Sequence, residues 1–226
     1  MEGAAAGGIF MSTSTRTHTR KIRYMAYLSL LIALQIILTV VPQMGMIVIP
    51  GLPFSITIMH IPVLIGAVTL GIKAGAILGL CFGLGSLFVS TTRPAGPFSM
   101  MFSPFHTGNP LSLVMTLVPR ILCGVIAALI FIAVYKAFKK SKASEFAATA
   151  AAAAAGSITN TALVLILFYV LFGQVFISLS PSVTTLEYLR AFLLGAAATN
   201  GVIELIAAVV ICTALVKPLR RIVGEL

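Results

Sequence analysis

The sequence predicts an all-α integral membrane protein, a compact bundle of six transmembrane helices with both termini in the cytoplasm. Apolar residues make up 59% of the 226 residues and charged residues only 9%, whereas a soluble domain carries roughly 25% charged residues. The mean hydropathy is +1.11. The charges lie at the ends of long apolar segments. The net charge of +10 therefore indicates membrane orientation rather than nucleic-acid binding.

The first twenty residues, "MEGAAAGGIFMSTSTRTHTR", differ from the rest of the chain. They lack the charged start and continuous apolar core of a cleavable signal. We predict that residues 1–20 form a disordered cytoplasmic arm or a remnant added to the natural chain. Residues 21–226 then form a single six-helix membrane domain.

Six apolar segments supply the predicted spans, because a bilayer core needs about 20 apolar residues per helix. They cover residues 22–41, 56–71, 74–91, 111–136, 147–172 and 190–216. The second and third are short and separated by "GIKAG", which predicts a tight helical hairpin with Pro62 early in its first helix.

Small residues predict how these helices pack. The third span places glycines on one face at a spacing of four, which lets another backbone approach closely. They are Gly71, Gly75, Gly79 and Gly83. The fifth span begins "AATAAAAAAGSITN", which predicts a thin helix in the middle of the bundle.

The basic residues predict the orientation. Four lie in the N-terminal arm, one between spans two and three, four between spans four and five, and three at the C-terminus, which makes twelve of the 15. The positive-inside rule places these segments in the cytoplasm. The opposite side carries three proline- and glycine-rich loops, at 42–55, 92–110 and 173–189, which either cover a site or only connect helices.

Polar side chains inside the spans predict a common layer. Arg120 in "LVPRILCG", Asn160 and Asn200 lie roughly 14, 18 and 15 Å below the outer side at 1.5 Å per residue, and Glu204 lies one turn after Asn200. A buried charge is expensive and indicates function. One interpretation is that Arg120 binds an anionic ligand while the asparagines bind hydroxyls and amides. Another is that Arg120 pairs with Glu204 and the asparagines join helices. In a mixed arrangement, Glu204 orients or partly neutralises Arg120 while a ligand takes its remaining donors.

Secondary candidates for ligand binding lie near the outer side. They are Thr57 and His60 at the start of span two, and Arg93, His106 and Asn109 in the 92–110 loop. A histidine at an interface is more often a surface or capping residue.

The sequence predicts no metal site, no cofactor and no catalysis. Cys81, Cys123 and Cys212 are isolated in apolar spans, as buried small residues are. Nucleotide-binding and hydrolase motifs such as G-x-x-x-x-G-K-[ST] and G-x-S-x-G are absent. A transport role, if the chain had one, would need energy from an ion gradient or another subunit.

Four sequence stretches resemble the S components of energy-coupling factor (ECF) vitamin transporters. They are "ITIMHIPVLIGAVTLGIKAGAILGLCFGLGSL", "FSPF…GNPLSLVMTLVPRILCG", "GSITNTALVL" and "ATNGVIELIAAVVI". The resemblance covers about residues 22–216. The combination of H-I-P-V, V-P-R-I-L, G-S-x-T-N-T and T-N-G-x-x-E is most similar to the pantothenate-type S component.

The resemblance implies a subunit of the bacterial cell membrane that binds one vitamin near its outer face. It implies partners that supply energy, namely a scaffold transmembrane subunit and two cytoplasmic ATPases. The family's A-x-x-x-A docking motif corresponds to Ser29 and Ala33, with serine replacing the first alanine. For pantothenate, Arg120 would bind the carboxylate, and Asn160 and Asn200 the amide or hydroxyls.

Three alternatives stay open at this point. The ligand could be riboflavin, folate or another small anion, although 19 aromatic residues and no tryptophan argue against a large flat ring. A membrane scaffold protein would use the polar layer structurally and bind no ligand. A membrane enzyme is the weakest alternative, because the sequence contains no visible nucleophile–base pair.

Overall fold

A computed structural model of the chain describes residues 5–42, 44–48, 55–138, 142–179 and 183–223, without the side chains of 5–19, 48, 55, 142–143 and 223. The described helices are α1 (Ala5–Val40), α2 (His60–Leu70), α3 (Ile72–Thr92), α4 (Pro97–Met100), α5 (Pro104–Thr107), α6 (Leu111–Ala137), α7 (Lys142–Leu179), α8 (Leu186–Ala196) and α9 (Val202–Val223). One antiparallel hairpin joins β1 (Met46–Val48) to β2 (Ser55–Thr57).

The helices confirm an all-α membrane protein that crosses the bilayer several times. Five described segments are long and apolar enough to span it, namely Arg20–Val40, Ile72–Thr92, Leu111–Ala137, Ser144–Leu179 and Leu186–Ile222. Large apolar side chains such as Leu30, Val170 and Leu194 are exposed on their outer faces, as lipid contact requires. The count of six spans and the cytoplasmic position of both termini stay predictions.

The second predicted span differs most from the structure. Residues 56 and 57 belong to β2, and the helix begins only at His60. Ile56 and Thr57 are β-branched, which favours a strand, and they pair with Ile47 and Met46. Helix α2 has 11 residues, fewer than the roughly 20 that a full crossing requires.

The backbone of the N-terminal segment is helical from Ala5. The interpretation of residues 1–20 as a disordered arm or an added remnant, and the division of the chain at residue 20, stay predictions. Lys139 and Lys140, which contributed to the predicted orientation, lie outside the described residues, as do the side chains of Arg16 and Lys142.

Glycines allow α3 and α6 to pack backbone against backbone, as predicted. A methyl group added at Gly75 would lie 2.6 Å from the carbonyl oxygen of Gly124, and Gly79 faces the backbone of Arg120. Gly83 faces Leu117 in the same way. Gly71 has a different role, since its φ of 91° forms the turn between α2 and α3.

The alanine-rich start of α7 lies in the middle of the bundle, which confirms that prediction. Ala148, Ala152 and Ala153 are fully buried in a core shared with α2, α6 and α9. Gly156 lies against Leu64, where a methyl group would clash with the leucine side chain. Asn160 follows one turn later on the same helix face, and it is buried as well.

A π-turn interrupts the last predicted span. Residues Ala197–Gly201 form one wide turn between α8 and α9, where the sequence predicted a continuous helix over 190–216. The Thr199 hydroxyl donates to the Gly195 carbonyl over 2.8 Å. Such bulges insert a residue into the helix and often lie at functional sites. This one contains Asn200.

Candidate functional site

A cavity opens at one end of the bundle. This end carries the β-hairpin and the segment 93–110 between α3 and α6, which we call the 93–110 connection. The empty space of the cavity is about 850 Å³ including the open mouth. Its polar lining consists of Thr57, Ser86, Ser90, Ser99, Arg120, Asn160, Thr161, Asn200 and Glu204. Its other lining residues are Met46, Ala95, Gly96, Phe98, Phe102, Val164, Leu165, Ala196 and Gly201.

The structure brings the predicted polar layer together. Arg120 lies on α6, Asn160 on α7, Asn200 in the π-turn and Glu204 on α9, and all four line this one cavity. Each has no more than 6% of its surface exposed. Four separate elements therefore place buried polar groups around one space.

Pro119 helps to position Arg120. A proline has no backbone N–H, so the carbonyl of Met115, four residues earlier, lacks its helical donor. The Arg120 Nη1 donates to that carbonyl oxygen over 3.0 Å. The guanidinium also lies over the rings of Phe82 and Phe102, at 5.5 and 4.9 Å from their centroids. Its buried Nε has no hydrogen-bond partner within the described residues.

Arg120 and Glu204 do not form an ion pair. The described part of the chain contains one ion pair, between Arg220 and Glu145 at 3.4 Å. Glu204 instead accepts a hydrogen bond on Oε1 from the backbone N–H of Thr57, over 2.6 Å. The alternative in which the two charges satisfy each other is therefore not the arrangement in this structure.

The two asparagines leave amide groups free. The buried Oδ1 of Asn160 and the buried Nδ2 of Asn200 have no partner among the described residues. Asn200 Oδ1 lies 3.5 Å from the Thr199 hydroxyl, whose single proton is donated to the Gly195 carbonyl. Neither amide joins two helices, in contrast to the purely structural interpretation. Both have unused hydrogen-bonding capacity beside the cavity.

The secondary candidates divide into two groups. Thr57 lines the cavity. His60, the first residue of α2, is buried but does not line the cavity. The other three support the 93–110 connection. Arg93 donates to the carbonyls of Thr39 and Val40, His106 contacts the carbonyl of Thr91, and Asn109 Oδ1 accepts from the Leu111 N–H. They lie outside the cavity lining.

The 93–110 connection covers part of the cavity, and hydroxyl groups attach it to its neighbours. Thr91 and Ser103 share a hydrogen bond of 2.8 Å, and the Thr116 hydroxyl donates to the Phe102 carbonyl over 2.7 Å. Phe98 packs on Phe168 with 4.5 Å between ring centroids. Residues of this segment line the cavity, and its role as the cover of a binding site stays a prediction.

Sequence reasoning missed several lining residues. Ser86 and Ser90 face the cavity from α3 one turn apart, and the Ser86 hydroxyl has no partner within the described residues. Thr161 adjoins Asn160 on α7. The spacing of four between the serines was a usable signal, because it places both on one helix face.

Two further features complete the survey of candidate residues. Ser29 and Ala33 are exposed on α1, which packs loosely on the bundle. Among the described residues, no group of three histidine, cysteine or acidic side chains is close enough to hold a metal ion.

Comparison with known proteins identifies the family. Residues 23–216 match the family described as ECF transporter, substrate-specific component. The chain is also similar to the Pantothenic acid transporter PanT of Lactococcus lactis subsp. cremoris (strain MG1363), with 37% identity over 203 residues that cover 87% of this chain and 93% of the relative. The matched family and this relative are both transport proteins, in agreement with the prediction that the chain is not an enzyme. The chain therefore belongs to the family of substrate-specific components of ECF transporters.

Proposed function

We propose that this chain binds pantothenate and delivers it inward with energy from separate ATPase subunits. The observation that carries the proposal is the Arg120 guanidinium, which is buried beside the cavity and has no carboxylate partner among the described residues. A buried charge without its partner is destabilising by about 3–5 kcal/mol. The carboxylate of a bound vitamin would supply that partner.

The remaining lining supports the same ligand. Pantothenate has one carboxylate, one amide and two hydroxyls. The cavity offers one cation, two unsatisfied amides and several hydroxyl groups. The similarity to a pantothenic acid transporter adds independent support.

The topology supports capture from outside. The cavity lies at the end of the bundle that holds the α1–α2 and α3–α6 connections, whereas the basic segments lie at the other end. The positive-inside rule assigns the basic end to the cytoplasm, so the cavity faces outward in a bacterial cell membrane. Entry from that side passes the 93–110 cover.

Docking onto the scaffold transmembrane subunit is assigned to α1. Ser29 and Ala33 lie four residues apart on its exposed surface, where small side chains permit close helix contact. Family membership implies this scaffold and two cytoplasmic ATPases as partners.

Isothermal titration calorimetry on the detergent-purified chain tests the proposal. It suits this protein because the sequence has no tryptophan to report binding by fluorescence. We expect saturable binding of pantothenate and none of riboflavin or folate. Arg120→Gln should weaken binding at least about 100-fold, as loss of a buried charged pair does.

Arg190→Gln is the matched control. Arg190 is also an arginine on a membrane helix, but it is exposed and donates to the Tyr169 hydroxyl outside the cavity. Its variant should bind pantothenate as the unaltered chain does. Preferential binding of riboflavin or folate, or full affinity in Arg120→Gln, would refute the assignment.

A further inference from the structure

The cavity holds two opposite charges on separate walls. Arg120 faces it from α6, and Glu204 faces it from α9 beside the β-hairpin. No ion pair joins them. Two buried opposite charges that stay apart in one space offer a ligand two chemically different ends.

Each charge is held by its own neighbours. Arg120 is fixed by the Met115 carbonyl and by the rings of Phe82 and Phe102. Glu204 is fixed by the Thr57 N–H, and the Thr57 side chain is fixed in turn by the Gly45 carbonyl over 3.2 Å. The neighbours of Arg120 and Glu204 therefore keep the two side chains apart. Both side chains are positioned before a ligand binds.

Glu204 retains one free acceptor. Its hydrogen bond within the described residues uses Oε1, and Oε2 accepts no hydrogen bond there. Oε2 is not fully buried, so it is accessible from the cavity that Glu204 lines. A hydroxyl group can bond to it, because a hydroxyl donates a proton and a carboxylate only accepts.

We propose that Glu204 determines specificity for hydroxyl groups, and that the ligand lies with its carboxylate at Arg120 and its hydroxyls at Glu204. This rests on the proposed function, which supplies a ligand with an acid at one end and hydroxyls at the other. The reversed orientation is excluded because it brings the ligand carboxylate against a second negative charge. Glu204 thus attracts one end and repels the other.

A set of three ligands tests the orientation. They are pantothenate, the alcohol that carries CH₂OH in place of the carboxylate, and the acid with both hydroxyls replaced by hydrogen. In the unaltered chain, loss of the hydroxyls should weaken binding about 10–100-fold, the value of hydrogen bonds to a charged group. Equal binding of the dideoxy acid and pantothenate overturns the proposal without any variant.

Glu204→Gln keeps an oxygen for the Thr57 N–H but removes the charge. The ratio of dissociation constants between the dideoxy acid and pantothenate should then fall about tenfold. The ratio between the alcohol and pantothenate should change less than this, because Arg120 still binds the carboxylate in the variant. In Arg120→Gln, the ratio between the alcohol and pantothenate should fall instead. The ratio between the dideoxy acid and pantothenate should change less. A merely structural role for Glu204 weakens all three ligands equally and overturns the proposal.

Glu187→Gln is the matched control, because Glu187 is exposed at the start of α8 and outside the cavity. Its ratios should equal those of the unaltered chain. If Glu204→Gln does not fold, Glu204→Asp keeps the charge but withdraws the oxygens, and it should also lower the hydroxyl ratio. Failure of the unaltered chain to bind pantothenate overturns both proposals, whereas binding with unchanged ratios overturns the orientation alone.

Discussion

Gly79 determines how close α3 comes to Arg120, so its replacement by alanine tests the construction of the site. A methyl group there would lie 2.8 Å from Cα of Ile121 and 3.0 Å from the carbonyl carbon of Arg120. Carbon atoms in good contact are about 3.5–4.0 Å apart. The two helices must therefore separate by roughly 0.5–1 Å at this level. The atoms that move belong to the backbone of Arg120.

The change in stability expected for Gly79→Ala follows from two opposing effects. Overpacking of a filled interior costs about 1–3 kcal/mol, whereas alanine stabilises a helix by about 0.5–1 kcal/mol relative to glycine. Gly195→Ala is the matched control, because its added methyl meets no atom within 4 Å. It gains the helix term without the clash. The difference between the variants isolates the clash and corresponds to roughly 2–12 °C in melting temperature.

Binding should respond as well. Recognition requires side chains placed within about 0.5 Å, so a shift of the Arg120 backbone should weaken pantothenate binding about tenfold. Thermal denaturation followed by size-exclusion chromatography measures the first effect, and calorimetry measures the second. Gly79→Ala could have the same melting temperature as Gly195→Ala and bind pantothenate with unchanged affinity. In that case the close contact between α3 and α6 at Gly79 does not position the site.

Three further predictions concern single charges. Arg120→Lys should weaken pantothenate binding about tenfold in calorimetry, because an ammonium group lacks the planar fork that binds a carboxylate; unchanged affinity would contradict this. Asn160→Asp should weaken it at least about tenfold, since it adds a negative charge beside the acid, and tighter binding would refute the reasoning. Arg220→Gln should lower the free energy of unfolding by about 1–2 kcal/mol, seen as a lower melting temperature, because it removes a partly buried ion pair and contacts with Phe131 and Tyr135 at 4.8 and 5.1 Å. Its pantothenate affinity should not change.

The sequence predicted the polar lining better than the surrounding backbone. Arg120, Asn160 and Asn200 were recognisable because polar groups in apolar helices need partners. Helical spacing placed Glu204 with Asn200, and the π-turn did not separate them. A polar group in a membrane helix is restricted to the interior of the bundle. The depth of each residue along its span was therefore enough to predict that these residues lie together.

The short elements at the mouth could not be predicted in this way. The β-hairpin and helices α4 and α5 have 3 or 4 residues each, too few for a periodic pattern. Their positions depend on contacts between distant residues, such as the Thr57 N–H with Glu204 and Thr91 with Ser103. Ser86 and Ser90 were missed because a serine in a membrane helix commonly bonds to its own backbone.

Two departures from regular helix lie on the wall of the cavity, and they have a common consequence. Pro119 removes one helical hydrogen bond and leaves the Met115 carbonyl to hold Arg120. The π-turn widens the last helix at Asn200, which lines the cavity from this turn. At Pro119 a regular helix would satisfy the Met115 carbonyl itself and leave Arg120 without this partner. Both irregularities therefore lie where a polar side chain enters the cavity wall, and departures from regular helix help this bundle to position its polar lining.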